Sequence, residues 1–215
     1  MFSGIVEATA LVLWVNEVEK GKLVRIGLSR PREFNDLKPG DSVAADGVCL
    51  TVESHDDETI VFALAAETLA VTNWQSASGP SALVGRRINL ERSLKMGDRI
   101  HGHWVTGHVD AAVKVARVEE LPGMRVIDVE IPAALRPMVW KKGSWAINGV
   151  SLTVNSVDGG VASHCLIPET LARTNLNDLC QGDLVNVEVD VFARALAQSV
   201  ESYLKENLQQ KESGK

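Results

Sequence analysis

The chain has 215 residues, 45% hydrophobic and 23% charged, which is the composition of a globular protein with room for one large or two small domains. Its net charge of -6 and the absence of any basic run exclude nucleic acid as an expected partner. No apolar stretch approaches the roughly 20 residues that span a bilayer, and no positively charged leader opens the chain. We therefore expect no membrane association and a cytoplasmic location.

The cysteines and histidines do not form a metal-binding pattern. The three cysteines, Cys49, Cys165 and Cys180, lie far apart without a CxxC pair, and His101 and His103 lack acidic or cysteine partners nearby in the sequence. We predict neither a disulfide framework nor a metal site.

Four sequence blocks occur twice in the same order. MFSGIVEA opens the chain and WVTGHVDA begins at Trp104, while DGVCLTVES and AAETLAVTNW return 102 residues later as NGVSLTVNS and IPETLARTNL. GRRINLERS returns as GDLVNVEVD, and the five-residue difference in offset falls in 75–84, a segment of Ser, Gly and Pro that predicts a loop. The repeat predicts two homologous domains, 1–97 and 98–191, followed by a separate segment, 192–215.

Each half is predicted to consist mostly of β-strands. Val24, Ile26 and Leu28 alternate with polar or small residues, and the second half shows the same alternation at 127–131 and 185–189. Alternation of β-branched residues is typical of half-buried strands. Short helices are predicted after Pro31 and after Pro132, because proline suits a first helical turn. The pattern as a whole predicts an all-β fold with two similar barrels in tandem.

The C-terminal segment has a different periodicity. Its apolar residues recur at every fourth position, which predicts an amphipathic helix: Phe192, Leu196, Val200, Leu204 and Leu208. The helix has no counterpart in the repeat, so its apolar face packs either on a barrel of its own chain or on another subunit. We favour a subunit contact.

The combined blocks resemble the riboflavin synthase family from Met1 to about Tyr203. The residues that carry the resemblance are MFSGIVE, GHWVTGHVD, the paired GVCLTV and GVSLTV, and the two ETLxxTN blocks. The resemblance implies two six-stranded Greek-key β-barrels, a C-terminal helix that joins a homotrimer, and no cofactor. The implied reaction converts two molecules of 6,7-dimethyl-8-ribityllumazine into riboflavin and 5-amino-6-(D-ribitylamino)uracil. Lumazine-binding half-sites of neighbouring subunits would face one another, and association with a lumazine synthase is raised as a further partnership.

The two halves differ at the positions to which the resemblance assigns chemistry. Ser151 stands where the first half has Cys49, Asp190 replaces a serine, and His108 stands where the first half has Ile5. We predict that Ser151 and Asp190 form a catalytic pair, with Cys49 and His108 as further catalytic residues.

Each of these assignments has a structural alternative. Asp190 would serve as the N-cap of the final helix, a role compatible with catalysis. Cys49 would be a small buried apolar residue, and His108 a hydrogen-bonded structural residue. His103 is predicted to be structural. Lys142 is predicted to reach the ligand, against the alternative of a solvated surface lysine.

The expected substrate contacts lie at matching positions of the two halves. In the first half they are Gly4, Ile5, Val6, Cys49, Leu50, Thr51, Ala63, Leu64, Ala65, Ala66, Glu67 and Thr68. In the second half they are Gly107, His108, Val109, Lys142, Ser151, Leu152, Thr153, Cys165, Leu166, Ile167, Pro168, Glu169 and Thr170. Glycine allows the backbone to approach a flat ring, and the threonines and glutamates offer partners for a ribityl chain.

Three features depart from the family pattern. Ala65-Ala66 replaces a Met-Pro or similar pair, the loop 75–84 is longer than usual, and Asp46 stands where an asparagine is common. The first two bear on access to the first half-site.

Two other functions share this architecture. A non-catalytic antenna protein would hold lumazine or flavin but lose residues of one half-site, whereas both halves here keep their candidates. A flavin-binding reductase module would need a nucleotide-binding domain, and the sequence has no GxGxxG followed by a helix.

Overall fold

The computed structural model describes residues 1–19, 23–75 and 79–213, with side chains through Lys205 and at Asn207. The first half forms a closed antiparallel barrel in the order β1-β2-β5-β4-β3-β6, which confirms the predicted six-stranded barrel. Its elements are β1 (Ala8–Glu19), β2 (Leu23–Ser29), β3 (Ser42–Ala45), β4 (Val48–His55), β5 (Thr59–Ala65), α1 (Ala66–Val71), a 3-10 helix (Pro80–Leu83) and β6 (Arg87–Arg92).

The second half repeats the strand order but does not close. Its seven-stranded sheet runs β10-β9-β13-β7-β8-β12-β11, with the two edge strands consecutive in the chain. Its elements are β7 (Ala111–Leu121), β8 (Met124–Glu130), a 3-10 helix (Ala133–Met138), β9 (Ser144–Ile147), β10 (Val150–Thr153), β11 (Ser156–Asp158), β12 (Val161–Leu166), α2 (Pro168–Arg173), a 3-10 helix (Asn175–Asp178), β13 (Leu184–Val189) and α3 (Val191–Ser213).

The second barrel differs from the first only in being open between its two edge strands. The counterpart of β4 is divided into β10 and β11 at Val154 and Asn155. The Asn155 amide donates to Ser163 O at 2.8 Å, while its side-chain oxygen accepts from Cys165 N at 3.3 Å, so the side chain replaces a backbone partner in the ladder. The first barrel absorbs a similar irregularity as a bulge within a continuous β4.

The predicted short helices are only partly present. The segment after Pro31 forms turns, with one hydrogen bond from Phe34 N to Pro31 O at 3.0 Å. Pro39 disfavours a helical conformation at Lys38 and so limits any helix in this segment to about two turns. The segment after Pro132 is a 3-10 helix that contains Pro137, which has no backbone N–H to extend it. The predicted loop 75–84 lies partly outside the described residues, and its described end contains a 3-10 helix.

Each barrel has its own apolar core, and the two barrels meet through polar residues and a small apolar cluster of Phe2, Ala44, Val105 and Ala146. The interface holds a buried group that we call the amide cluster, consisting of Asp46, Asn73, Asn89, Asn148, Asn175 and Asn186. Asn89 Oδ1 accepts from Asn175 N and Asn186 Oδ1 accepts from Asn73 N, both at 2.7 Å. The same bond formed twice by repeat-related residues shows that the halves are related by a pseudo-twofold axis.

Helix α3 confirms the predicted amphipathic helix and leaves its apolar stripe open within the chain. Phe192, Leu196, Val200 and Leu204 are 49–66% exposed, and the Leu208 side chain lies outside the described part. Leu196, Val200, Leu204 and Trp140 border a groove of about 650 Å³ between α3 and the 3-10 helix Ala133–Met138. Among the described residues, no helix has the length and apolarity to cross a bilayer.

Candidate functional site

The first residues of each half pack on the barrel of the other half. Ser151 N donates to Gly4 O at 2.7 Å, and Cys49 N donates to Gly107 O at 2.8 Å. The two crossing segments are joined by a two-way bridge between Phe2 and Val105, with N···O distances of 2.8 and 3.1 Å. Each barrel is therefore completed by residues from the opposite half.

This crossing changes the grouping of the expected substrate contacts. Grouping by sequence half placed the segment 4–6 with Cys49 and the segment 107–109 with Ser151. The structure pairs them the other way, and the side chains follow, since Val6 lies in the second core and Val109 packs against the first. The physical reason is the antiparallel bridge between the two opening segments, which carries each one across the pseudo-twofold axis.

The alternation along the strands produces two matching outward surfaces. The first half-site consists of Cys49, Thr51, Ala63, Ala65 and His108. The second half-site consists of Ser151, Thr153, Cys165, Ile167 and Ile5. All ten side chains are exposed or half-buried, and the helices α1 and α2, which carry Glu67 and Glu169, follow directly on these strands.

Some of the expected contacts face inward. Leu50, Leu64, Leu152 and Leu166 alternate with the half-site residues and are at most 8% exposed in the barrel cores. Their side chains belong to the cores, so these residues can offer a ligand only their backbone groups. The prediction from the sequence included these leucines because it named whole segments rather than the residues on one face of each strand.

Ser151 contacts His103, which the sequence analysis treated as structural. His103 Nδ1 lies 2.7 Å from Ser151 Oγ, and its Nε2 is buried without a hydrogen-bond partner in the described structure. Burial lowers the pKa of His103, while the charge of Asp190 opposes that effect. The imidazole is therefore neutral near neutral pH and can accept a proton from the serine hydroxyl. The repeat offers no counterpart of His103, so the comparison of halves that singled out Ser151 could not reveal its partner.

Asp190 caps the final helix, as the structural alternative proposed. Its Oδ1 accepts from Phe192 N at 2.8 Å and from Ala193 N at 3.4 Å, and its backbone oxygen accepts from Arg194 N. Between Asp190 and Ser151 the described contacts include no direct hydrogen bond. The negative charge of Asp190 opposes the lowering of the His103 pKa that burial causes. The capping role and an electrostatic role coexist.

Two glycines pack closely against Ser151 of the second half-site. A Cβ added to Gly102, which precedes His103, would lie 2.1 Å from Ser3 O and 2.7 Å from Ser151 Cβ. Gly4 has a φ of +74°, and its added Cβ would lie 2.6 Å from the same serine Cβ. Only glycine fits at these two positions, so the His103–Ser151 contact depends on them.

Lys142 lies beside the second half-site in a backbone conformation that disfavours lysine. Its φ is +69°, and its N–H donates to Val154 O at 2.7 Å, next to Thr153. The corresponding position in the first barrel is Gly40, with φ +95° and the equivalent bond to Val52 O. A lysine where the repeat uses glycine carries a backbone cost, which points to a use of the side chain.

The described residues contain no group of three His, Cys, Asp or Glu side chains placed to hold a metal ion. The expected polar contacts at the strand ends are otherwise accessible: Glu67 is exposed, and Glu169 forms an ion pair with Arg173 one helical turn later.

Comparison with known proteins identifies the family. The lumazine binding domain model matches the chain twice, at residues 3–93 and 106–190. Riboflavin synthase of Chlamydia muridarum is 36% identical over 208 residues, covering 97% of this chain and 99% of the relative. Riboflavin synthase of Brucella abortus is 36% identical over 206 residues, covering 92% and 96%.

The chain belongs to the riboflavin synthase family. The resemblance found in the sequence is thereby confirmed. The crystal structure of LumP complexed with riboflavin has the same fold, with a TM-score of 0.79, 22% sequence identity, and coverage of 88% of this chain and 99% of LumP. The two matches end at Ser93 and Asp190, which distinguish the halves, and His103 lies between the two matched ranges.

Proposed function

We propose that this chain is a riboflavin synthase that converts two molecules of 6,7-dimethyl-8-ribityllumazine into riboflavin and 5-amino-6-(D-ribitylamino)uracil. The observation that carries the proposal is that one chain presents two matching half-sites, in a family whose curated relatives of the same length are named riboflavin synthase. One substrate donates a four-carbon unit and the other accepts it. The two products contain all the atoms of the two substrates, so the reaction needs no oxidant or further substrate.

A repeated site suits a reaction between two copies of one molecule. Holding two reactants in a productive orientation can remove about 7–11 kcal/mol from a bimolecular barrier. Flat rings held by the two half-sites of facing subunits would meet in this way. The outward, open placement of both half-sites on the chain supports an arrangement completed by a second copy.

Ser151 and His103 are the groups best placed for proton transfer. The neutral imidazole accepts the hydroxyl proton, and the serine or a water beside it then adds to the bound lumazine. The negative charge of Asp190 stabilises the imidazolium that forms. In the first half-site, Cys49 and His108 line the corresponding surface, where His108 is exposed and able to exchange the proton that leaves the C7 methyl group of the donor.

The remaining half-site residues are proposed as binding contacts. Thr51 and Thr153 offer hydroxyls at matching positions, and the outward backbone at Gly4 and Gly107 offers amides and carbonyls to the pteridine edge. Lys142, whose backbone lies beside Thr153, is proposed as a further contact of the second half-site. The proposed domains are the two barrels, 1–97 and 98–191, each exchanging its first residues with the other.

We also propose that the chain acts as a homotrimer in the cytoplasm, joined through α3. The exposed apolar stripe from Phe192 to Leu204 and the groove beside Trp140 support a helix-mediated contact. Deletion of the residues after Phe192 should give monomers of low activity in sedimentation and turnover assays. A truncated chain that still sediments as a trimer would refute this contact. An association with a lumazine synthase can be tested by sedimenting the two proteins together.

The proposed activity is tested by incubating the pure chain with the lumazine and following riboflavin by absorbance and fluorescence. Many riboflavin molecules formed per chain are expected. Ligand binding with a fluorescence change but no product would instead indicate the antenna function.

A further inference from the structure

Two buried glutamates have no part in the proposed proton transfers. Glu91 lies in β6 and Glu188 in β13, and their exposed fractions are 5% and 3%. They are related by the repeat, which places a carboxylate at the same point of each barrel. Buried carboxylates are costly unless their oxygens are well hydrogen-bonded, so their partners indicate their use.

Glu91 binds the opening segment of the first half through three donors. Its Oε1 accepts from Ser3 N at 2.7 Å and from Ser3 Oγ at 2.9 Å, and its Oε2 accepts from Gly4 N at 3.0 Å. Burial raises the pKa of Glu91, and these hydrogen bonds act in the opposite direction. We call this arrangement a carboxylate clamp.

Glu188 forms the same clamp on the second half. Its Oε1 accepts from Thr106 N and Thr106 Oγ1, both at 2.7 Å, and its Oε2 accepts from Gly107 N at 2.9 Å. The two clamps thus use the same atoms on residues related by the repeat. A carboxylate is suited to this task because it only accepts hydrogen bonds, whereas the amide of a glutamine would direct N–H groups at one of these donors.

Each clamp lies one residue before a half-site contact. The glycine held by Glu91 gives its carbonyl to Ser151 N, and Ile5 of the second half-site follows it. The glycine held by Glu188 gives its carbonyl to Cys49 N, and His108 of the first half-site follows it. Both glycines have positive φ and closely approach the side chains opposite, so a small shift of either segment moves a half-site wall.

We propose that Glu91 and Glu188 are positioning residues that act on opposite half-sites. Glu91 holds the segment 3–5 against Ser151 and thereby sets the second half-site. Glu188 holds the segment 106–108 against Cys49 and thereby sets the first. The inference rests on the proposed function, since it takes the two surfaces as ligand sites.

The native cysteines report on the two half-sites separately. Cys49 belongs to the first half-site and Cys165 to the second, while the exposed Cys180 belongs to neither and serves as an internal reference. Alkylation with iodoacetamide, with and without riboflavin, is followed by mass spectrometry in the full-length chain, in Glu188→Gln and in Glu91→Gln. Glu58→Gln, in the exposed turn between β4 and β5, is the matched control because that turn lies at the opposite end of the hairpin from Cys49.

We expect each glutamine variant to lose riboflavin protection at one cysteine only. Glu188→Gln should abolish riboflavin protection of Cys49 and leave that of Cys165 intact, and Glu91→Gln should do the reverse. Each should lower kcat/KM about a hundred-fold, the cost of a displacement of about an ångström in a reacting complex. Glu58→Gln should match the parent in both assays.

Two results would overturn the inference. One is parent-like protection of both cysteines together with parent-like rates. The other is equal loss of protection at both cysteines in a variant that still folds. If either glutamine variant fails to fold, Ser3→Ala and Thr106→Val each remove one clamp donor and should give the same selectivity at smaller amplitude. A parent chain that binds riboflavin but makes none would reject the proposed function while leaving the protection pattern to decide the clamps.

Discussion

The proton transfer proposed for the second half-site involves two side chains, Ser151 and His103, that come from different parts of the chain. The contrast between GVSLTV and GVCLTV was enough to single out Ser151 from the sequence. No comparable contrast marks His103, because its role follows from a 2.7 Å contact between its Nδ1 and Ser151 Oγ, 48 residues apart in the chain, and not from a local sequence pattern. Asp190 was recognised both as a cap and as a charge, and the structure shows the cap directly.

Ser151→Ala should lower kcat about a hundred-fold or more while lumazine binding persists, because the hydroxyl is lost but the surrounding surface is kept. Steady-state rates and equilibrium titration measure the two effects separately. Ser156→Ala, at an exposed position of β11, serves as the control. Parent-like turnover of Ser151→Ala would remove the serine from the chemistry.

Lys142→Gly should stabilise the fold by about 1 kcal/mol, because glycine adopts the positive φ of this position without the cost borne by lysine. If the side chain binds substrate, the same change should raise KM. Chemical denaturation and kinetics on one preparation give both numbers. Greater stability with an unchanged KM would make Lys142 a surface residue.

At the scale of elements, the alternation of apolar residues predicted the strands correctly, since β2 and β13 cover the alternating positions and β8 covers all of them except Ile131. The prediction failed where tertiary contacts decide the local structure. The ETL blocks were predicted as substrate contacts, with no secondary structure assigned to them, and they form α1 and α2. Each helix has six residues and no buried side chain, so it has no apolar periodicity that would predict it from the sequence. The split between β10 and β11 depends on the side chain of Asn155, which resembles any loop residue in the sequence.

Strand β12 carries a histidine where β5 carries Phe62. His164 stacks on Trp145 in the second core, and burial lowers its pKa to about 4. The unfolded chain takes up a proton below the ordinary pKa of about 6.5, whereas the folded chain resists protonation. Stability from this group is therefore full above about pH 6.5 and is lost as the pH falls towards 4.

His164→Phe, which copies the first barrel, should reduce this acid sensitivity. Relative to the parent, its free energy of unfolding should gain about 2 kcal/mol between pH 7 and pH 4.5. Urea titrations at the two pH values measure the difference, with the exposed His101→Ala as a control that keeps the parent profile. Parallel profiles for parent and His164→Phe would show that the buried imidazole does not set the acid limit.

For the whole molecule, the internal repeat predicted two barrels and a separate C-terminal helix, because four sequence blocks recur in the same order and the helix has no counterpart among them. The crossing of the opening segments was not foreseeable, because Gly4 and Ser151 are joined only by the pseudo-twofold packing. The amide cluster that fixes this packing has one break in its symmetry: Asp46 corresponds to Asn148.

The break makes the junction of the barrels sensitive to pH. Asp46 is fully buried, and burial raises its pKa to about 6, against the opposing effects of the Asn89 N–H and Arg86. Arg86, with its nearest nitrogen 3.9 Å from Asp46 Oδ2, is the charged group facing the carboxyl. A raised pKa in the folded state means that the stability from this group is complete below about pH 4 and is lost as the pH rises through 6.

Relative to the parent, the free energy of unfolding of Asp46→Asn should therefore rise by about 2 kcal/mol between pH 4 and pH 7.5. This change does not depend on any constant difference in stability between the two proteins. The double variant Asp46→Asn/Asn148→Asp is the mirror image of the parent and should regain the pH dependence that Asp46→Asn loses. Both are measured by denaturant unfolding across this range. An unchanged pH profile in Asp46→Asn would contradict the assignment of the titrating group.

The most direct test of the whole account is the product ratio of the pure, dialysed chain given only 6,7-dimethyl-8-ribityllumazine. After quenching, chromatography quantifies the remaining lumazine, riboflavin and 5-amino-6-(D-ribitylamino)uracil. Two paired half-sites predict one riboflavin and one pyrimidinedione for every two lumazines consumed, over many turnovers. Lumazine that stays bound and unchanged, or riboflavin that never exceeds one equivalent per chain, would contradict the account.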